Sequence, residues 1–320
     1  HLPALFVDVE GAGQVRIDFY RVVSRLILER FYLPLKQWCH EQALELVGHI
    51  NNEELLVDHA RYNADFFTAM DGLDVPGMDV ICPAGDYRRA PDSMVPKLTS
   101  SAAHLRGKCR ALSETYGATG WDLTPDEMKR IADWLGVRGV TRLVLHAFYQ
   151  SIEGFRYQES PPSLFFQSPH WPFIPALVQY LTRWSWVLEQ TRPCAEVAVY
   201  YPIDAVRAAT SPHVGPSQPQ GLDEEASEAG RLGREFRQLL DALFRNQVDF
   251  EVVDDAALAS GSLGNGCLRV GDLPFRCLVI PPGGTSEQVQ PVVQAAASAG
   301  VQVLSGTSAQ VLREAKQWAV

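Results

Sequence analysis

The apolar positions first fall into a helical stripe. Residues 16–43 place Phe19, Val22, Val23, Leu26, Ile27, Phe31 and Leu35 at three-and-four spacing, which predicts one long amphipathic helix. Residues 44–50 (LELVGHI) form a short, mostly apolar run ending in polar residues, the pattern of a buried parallel strand. A second such run covers residues 78–82 and is closed by Pro83. A helical pattern at 95–107 precedes a strand over 109–113 that ends at Glu114. In LTPDE, Thr124 is placed as N-cap, Pro125 at the first helical position and Glu127 at the third, a capping box that opens a helix running to about residue 139. The strand 142–147 (RLVLHA) follows, and a helix from about residue 171 to about 190 pairs with it. Strand and helix thus alternate four times by residue 147, which implies a parallel sheet.

After Arg192-Pro193 the texture changes. Residues 195–201 (AEVAVYY) read as a strand, 211–222 as a Pro/Gly/Ser loop, and 224–246 as a helix whose acidic start suits its dipole. Strands are predicted at 248–253, 267–270, 276–280 and 301–304, with a helix at 286–299. The fold class is therefore α/β, with a parallel-sheet domain over residues 1–193 and a smaller, doubly wound α/β domain over 194–320. No internal repeat of fixed period is present.

Composition narrows the function. At 46% apolar and 21% charged residues the chain is ordinary globular protein, which excludes intrinsic disorder. A net charge of -10 argues against capture of nucleic acid or an anionic membrane and leaves a neutral small molecule or polymer as partner. The longest uncharged stretch, 160–182, is broken by five prolines, so no membrane span is expected. The chain begins at His1 without the pattern of a signal peptide. Six cysteines without C-x-x-C spacing read as reduced, buried thiols, which favours a cytoplasmic location.

Chemistry in parallel sheets gathers at the carboxyl ends of the strands. Those ends carry His49 and Glu54, Glu114 and Tyr116, and His146 and Tyr149. Glu114 is the leading candidate, because apolar walls at a sheet rim can set a carboxylate's pKa, and Tyr116 and Trp121 follow it. A carboxylate beside an aromatic platform is what glycoside chemistry uses, with the carboxylate at the anomeric carbon and the ring under the pyranose. The same residue also fits a strand-end carboxylate bound to neighbouring backbone, and spacing leaves both readings open. For His49, Glu54 and His146 the plainer alternative is a loop hydrogen bond or a satisfied core histidine. Trp171, Trp184 and Trp186 fit core positions, although Trp171 starts at a sheet rim. The histidines lack zinc-helix spacing, and the loop 281–286 (PPGGTS) lacks the lysine of a phosphate loop, so no metal and no cofactor are expected.

Residues 98–107 (LTSSAAHLRG), 112–121 (LSETYGATGW), 143–152 (LVLHAFYQSI) and 169–172 (PHWP) resemble large TIM-barrel glycoside hydrolases, closest to α-L-rhamnosidases and family 42 β-galactosidase-like enzymes. The second domain resembles, in pattern, the flavodoxin-like amidotransferase-like domain that follows such barrels. The likeness implies the C-terminal half of a (β/α)8 barrel, strands five to eight, and an exo-acting glycosidase. It makes Glu114 the nucleophile of a retaining enzyme at the end of strand seven, with the acid/base carboxylate of strand four preceding His1. It also implies that rhamnosidase-like relatives invert, which would make Glu114 a general acid or base. His49, Glu54, Tyr116, Trp121, His146, Tyr149 and Trp171 would shape the sugar site. The competing reading is a non-catalytic carbohydrate-binding or assembly module, with homo-oligomer contacts through the second domain. No nucleophile elbow is present there, so glutaminase chemistry is not expected.

Overall fold

The computed structural model describes residues 2–79, 94–212 and 227–318. Two four-stranded parallel sheets and one small antiparallel ribbon organise them. The first sheet runs β1 (Val47–Gly48), β2 (Val75–Asp79), β3 (Leu112–Thr115) and β4 (Arg142–Leu145) in that order, a parallel half-barrel. Helices Val95–Leu105 and Pro125–Gly136 link its later strands, and Ile174–Glu189 follows β4. The Thr124 side chain accepts from the Glu127 N–H and the Glu127 carboxylate accepts from the Thr124 N–H, so the capping box forms as its spacing predicts.

The elements depart from their expected outline: β3 starts at Leu112 and β4 stops at Leu145, two unexpected helices (Leu56–Asn63 and Phe66–Asp71) lie between β1 and β2, and the N-terminal helix, β1 and β2 differ as well. The long N-terminal helix covers Ala12–Ile27 and Leu33–Glu41, joined by a π turn at Leu28–Tyr32. Pro34 has no N–H to donate and its ring crowds the preceding turn, so the chain widens before it. The strand expected over 44–50 shrinks to two residues. It lies close against β2 because Gly77 has no side chain: a Cβ there would stand 2.3 Å from the Gly48 carbonyl oxygen. The second strand begins earlier than its apolar run suggests and is seen over Val75–Asp79, while residues 80–82 and Pro83 lie outside the described residues.

The second sheet has the order β11-β10-β5-β6, with β5 Val197–Tyr200, β6 Phe250–Val253, β10 Cys277–Ile280 and β11 Gln302–Ser305. Every residue of β5, β6 and β10 is buried, as expected of strands covered on both faces. The run 267–270 does not join this sheet. It forms β8 of an antiparallel ribbon with β7 (Ser262–Gly264) and β9 (Leu273–Phe275), because Gly266 and Gly271, both at positive φ, turn the chain back on each side of it. Most of the expected 211–222 loop and the start of the 224–246 helix lie outside the described residues; the helix itself is seen over Glu228–Arg245. All five described cysteines are free thiols, but Cys109 and Cys194 are exposed, contrary to the expectation that all are buried. No helix among the described residues is long and apolar enough to cross a membrane.

The two sheets are joined by a buried ionic contact. Glu251 of β6, fully out of water, meets Lys97 Nζ at 2.9 Å, the Ser101 hydroxyl at 2.6 Å and His104 Nδ1 at 3.0 Å, all from the helix Val95–Leu105. Burial would push this carboxyl up, and the Lys97 charge, with His104 and Ser101, outweighs it and holds the pKa near 2.

Candidate active site

Parallel register sets the site. Asp79 on β2 and Glu114 on β3 are Cα partners, so their side chains leave the sheet on the same face. Val144 is the next partner across and is 49% exposed, which shows that this face is the one turned away from the helices. His146 continues the β4 ladder by donating its backbone N–H to the Thr115 carbonyl. His49 follows β1.

These strand ends bring four side chains together. His49 Nε2 lies 3.3 Å from one Glu114 carboxylate oxygen, and His146 Nε2 lies 3.9 Å from the other. Glu114 is partly exposed, so a ligand can reach it. Tyr149 stands edge-on to His146, with ring centroids 5.9 Å apart, and donates its hydroxyl to the Ser160 carbonyl. Gly117 leaves room for the His146 ring, which a Cβ at that position would meet at 3.4 Å.

Behind His49 lies Glu53, only 2% exposed. One of its oxygens accepts from the Asp79 backbone N–H, and the other is 3.5 Å from His49 Nδ1. That approach is an ion-pair distance, not a hydrogen bond; Nδ1 donates instead to the Ile50 carbonyl at 2.7 Å. The second Glu53 oxygen therefore has no hydrogen-bond donor among the described residues. Burial pushes the Glu53 carboxyl up to about 7 against the opposing pull of His49. The Glu53 carboxylate, with the Ile50 carbonyl, raises His49 to about 10 against the cost of burial. At neutral pH His49 is an imidazolium facing Glu114.

His49, Asp79 and Glu114 each place one donor atom within 4.8 Å of the others, a grouping in which a cation would fit by distance. The spacing of histidines along the chain gave no sign of it, since the three donors come from three different strands. As arranged, however, both His49 nitrogens are turned to protein acceptors, so a bound cation would have to displace those contacts.

The remaining candidates lie elsewhere. Tyr116 is fully buried and donates its hydroxyl to the Met128 carbonyl at 2.8 Å, which makes it core and not a sugar contact. Its backbone φ of +80° swings the side chain inward, away from the face that Glu114 uses. Glu54 is partly exposed, and its side chain makes no hydrogen bond or ion pair among the described residues; its neighbour Glu53 is the one turned to the site. Trp121 stacks on Tyr157 at 5.3 Å between centroids and donates to the Tyr157 carbonyl. Trp171 meets Phe148 and Phe165 edge-on. These rings form aromatic surface after β3 and β4, without a contact to Glu114. Trp184 lies against Gly136 but is only partly buried and outside the core cluster, and Trp186 is exposed, so neither is the core residue expected.

Residues 2–236 match the family model for alpha-L-rhamnosidase, glycoside hydrolase family 106. The chain belongs to that family. A rhamnosidase from Novosphingobium sp. PP1Y is similar to this α-L-rhamnosidase family member with a TM-score of 0.63 at 16% identity, over 94% of this chain and 28% of its own. A β-galactosidase from the psychrophilic Marinomonas ef1 gives 0.58 at 14% identity, over 94% of this chain and 45% of its own. One from Bacillus circulans sp. alkalophilus gives 0.53 at 16%, over 82% and 36%. At such identities the likeness is one of fold, and the chain spans less than half the length of each of these structures. No curated protein matches the chain.

Proposed function

We propose that the protein is an exo-acting glycoside hydrolase that removes a terminal α-L-rhamnosyl unit, with Glu114 as the carboxylate that acts at the anomeric carbon. The observation that carries this reading is the placement of Glu114 at a strand end, partly exposed and flanked by His49 and His146 on its two oxygens. Family membership supports the sugar, and the cluster supports the chemistry. A carboxylate that must stay ionised while positive charge develops on the sugar ring is helped by an imidazolium that keeps its proton near neutral pH.

In the retaining course Glu114 attacks the anomeric carbon and a second carboxyl group protonates the leaving oxygen. That partner is expected to lie about 5 to 5.5 Å away. Membership in the rhamnosidase family, and not in a β-galactosidase family, favours a second course. There Glu114 is the base that takes a proton from water, and the two carboxyl groups stand about 6.5 to 9.5 Å apart. In either course His49 and His146 orient Glu114, while Tyr149, Trp121 and Trp171 offer rings for the sugar or its leaving group.

We read residues 1–193 as the barrel unit and 194–320 as an amidotransferase-like unit. The order β11-β10-β5-β6 supports a doubly wound, flavodoxin-like arrangement for the latter. The functional test is proton NMR of the native protein turning over p-nitrophenyl α-L-rhamnopyranoside. Release of α-L-rhamnose first marks retention, and release of the β anomer first marks inversion. No release from this or other aryl glycosides would leave the binding-module reading.

A further inference from the structure

The most deeply buried acid at the strand ends has no part in the chemistry just described. Glu53 is buried, and a residue that only filled space there would be apolar, since a carboxylate lacking a full set of donors is unfavourable out of water. It is also held from two sides. The Asp79 N–H fixes its carboxylate. Its backbone carbonyl accepts from His59 Nε2 at 2.7 Å, and His59 Nδ1 accepts from the Tyr201 hydroxyl at 2.8 Å. His59 and Tyr201 are themselves fully buried, and Tyr201 directly follows β5 of the second sheet.

We propose that Glu53 is a positioning residue for Glu114. Acting through His49, its carboxylate 3.5 Å from Nδ1 holds the imidazolium in place beside the Ile50 carbonyl that accepts the Nδ1–H, so that the Nε2–H is held against the Glu114 carboxylate. His49 sits between the two acids, with Glu53 3.5 Å from Nδ1 and Glu114 3.3 Å from Nε2. A buried carboxylate that orients an imidazole without touching substrate is a known division of labour in hydrolases. The His59–Tyr201 chain gives the second sheet a part in it, by holding the Glu53 backbone in place. The inference rests on the glycosidase reading of Glu114.

Steady-state kinetics of the native protein on p-nitrophenyl α-L-rhamnopyranoside test it. Glu53→Gln keeps the acceptor for the Asp79 N–H and removes the charge facing His49. Its kcat is expected to fall about 10- to 100-fold, with KM within about threefold of wild type. Because Glu53 acts through His49, the double variant with His49→Asn is expected to be no slower than His49→Asn alone. Should Glu53→Gln fail to fold, Glu53→Asp keeps the charge one methylene short and is expected to lower kcat about three- to tenfold at unchanged KM. A wild-type kcat in the folded variant, a loss carried by KM, or losses that multiply in the double variant would each overturn the proposal. A wild-type protein that turns over no aryl glycoside would instead overturn the glycosidase reading, and this inference with it.

Discussion

Two glutamates lie out of water among the described residues, one at the junction of the sheets and one behind the candidate site. Glu251 has both oxygens engaged by Lys97, Ser101 and His104, and its carboxyl stays ionised far into acid. Glu53 has one oxygen on a backbone N–H and the other on no donor among the described residues, and its carboxyl rises to about 7. Burial is similar; satisfaction is not. A saturated buried carboxylate has no capacity left for anything but holding elements together. An unsaturated one is tolerated where a neighbouring group, here His49, depends on its field. The junction is therefore the structural region, and the ends of β1 to β4 are the working one.

The contrast breaks most easily at Lys97. Lys97→Met strands the Glu251 charge, so it should cost about 3 to 5 kcal/mol of unfolding free energy by chemical denaturation while kcat at permissive temperature is unchanged. A loss below about 1 kcal/mol would show that Glu251 does not depend on its ion pair. Tyr201→Phe comes next. It leaves His59 Nδ1 buried and unpaired, at a cost of about 1 to 3 kcal/mol in the same measurement. Tyr116→Phe removes one hydroxyl-to-backbone bond in the core and should cost about 1 kcal/mol with KM for the aryl rhamnoside unchanged. A raised KM would return Tyr116 to the sugar site.

The same contrast can be read in pH. The pKa of Glu251 is lowered in the fold, so its contribution is full above the unfolded value near 4.5 and is lost as pH falls toward 2. The pKa of His49 is raised from 6.5 to about 10, so its contribution is full below 6.5 and is lost as pH rises toward 10. Denaturation midpoints across pH should therefore show an acid limb that Glu251→Gln removes and an alkaline limb that Glu53→Gln flattens. An alkaline limb unmoved in Glu53→Gln would separate His49 from Glu53.

Local chemistry was the legible part of the sequence. The Thr124–Glu127 capping box needs only residues three apart, and Glu114 and His146 stand where short apolar runs stop. What was missed depends on geometry that no spacing encodes. Sequence points to Glu54 and not Glu53 because the turn after β1, with Asn52 at φ +56°, has no period from which to tell the inward residue. Asp79 is hidden inside an apolar run whose strand begins three residues before the run does. Tyr116 looked like a neighbour of Glu114 until a positive φ turned it into the core. Lys97 and Glu251 are separated by more than 150 residues, and only the docking of a helix on β6 brings them together.

Glu114→Gln, measured for both kcat/KM and melting temperature in the native protein, tests the central claim most directly. The carboxylate is partly exposed and lies outside the saturated network, so the melting temperature should stay within about 2 °C of wild type. Hydrolysis of the aryl rhamnoside should fall by about three orders of magnitude or more. Wild-type turnover by the folded variant would contradict the account.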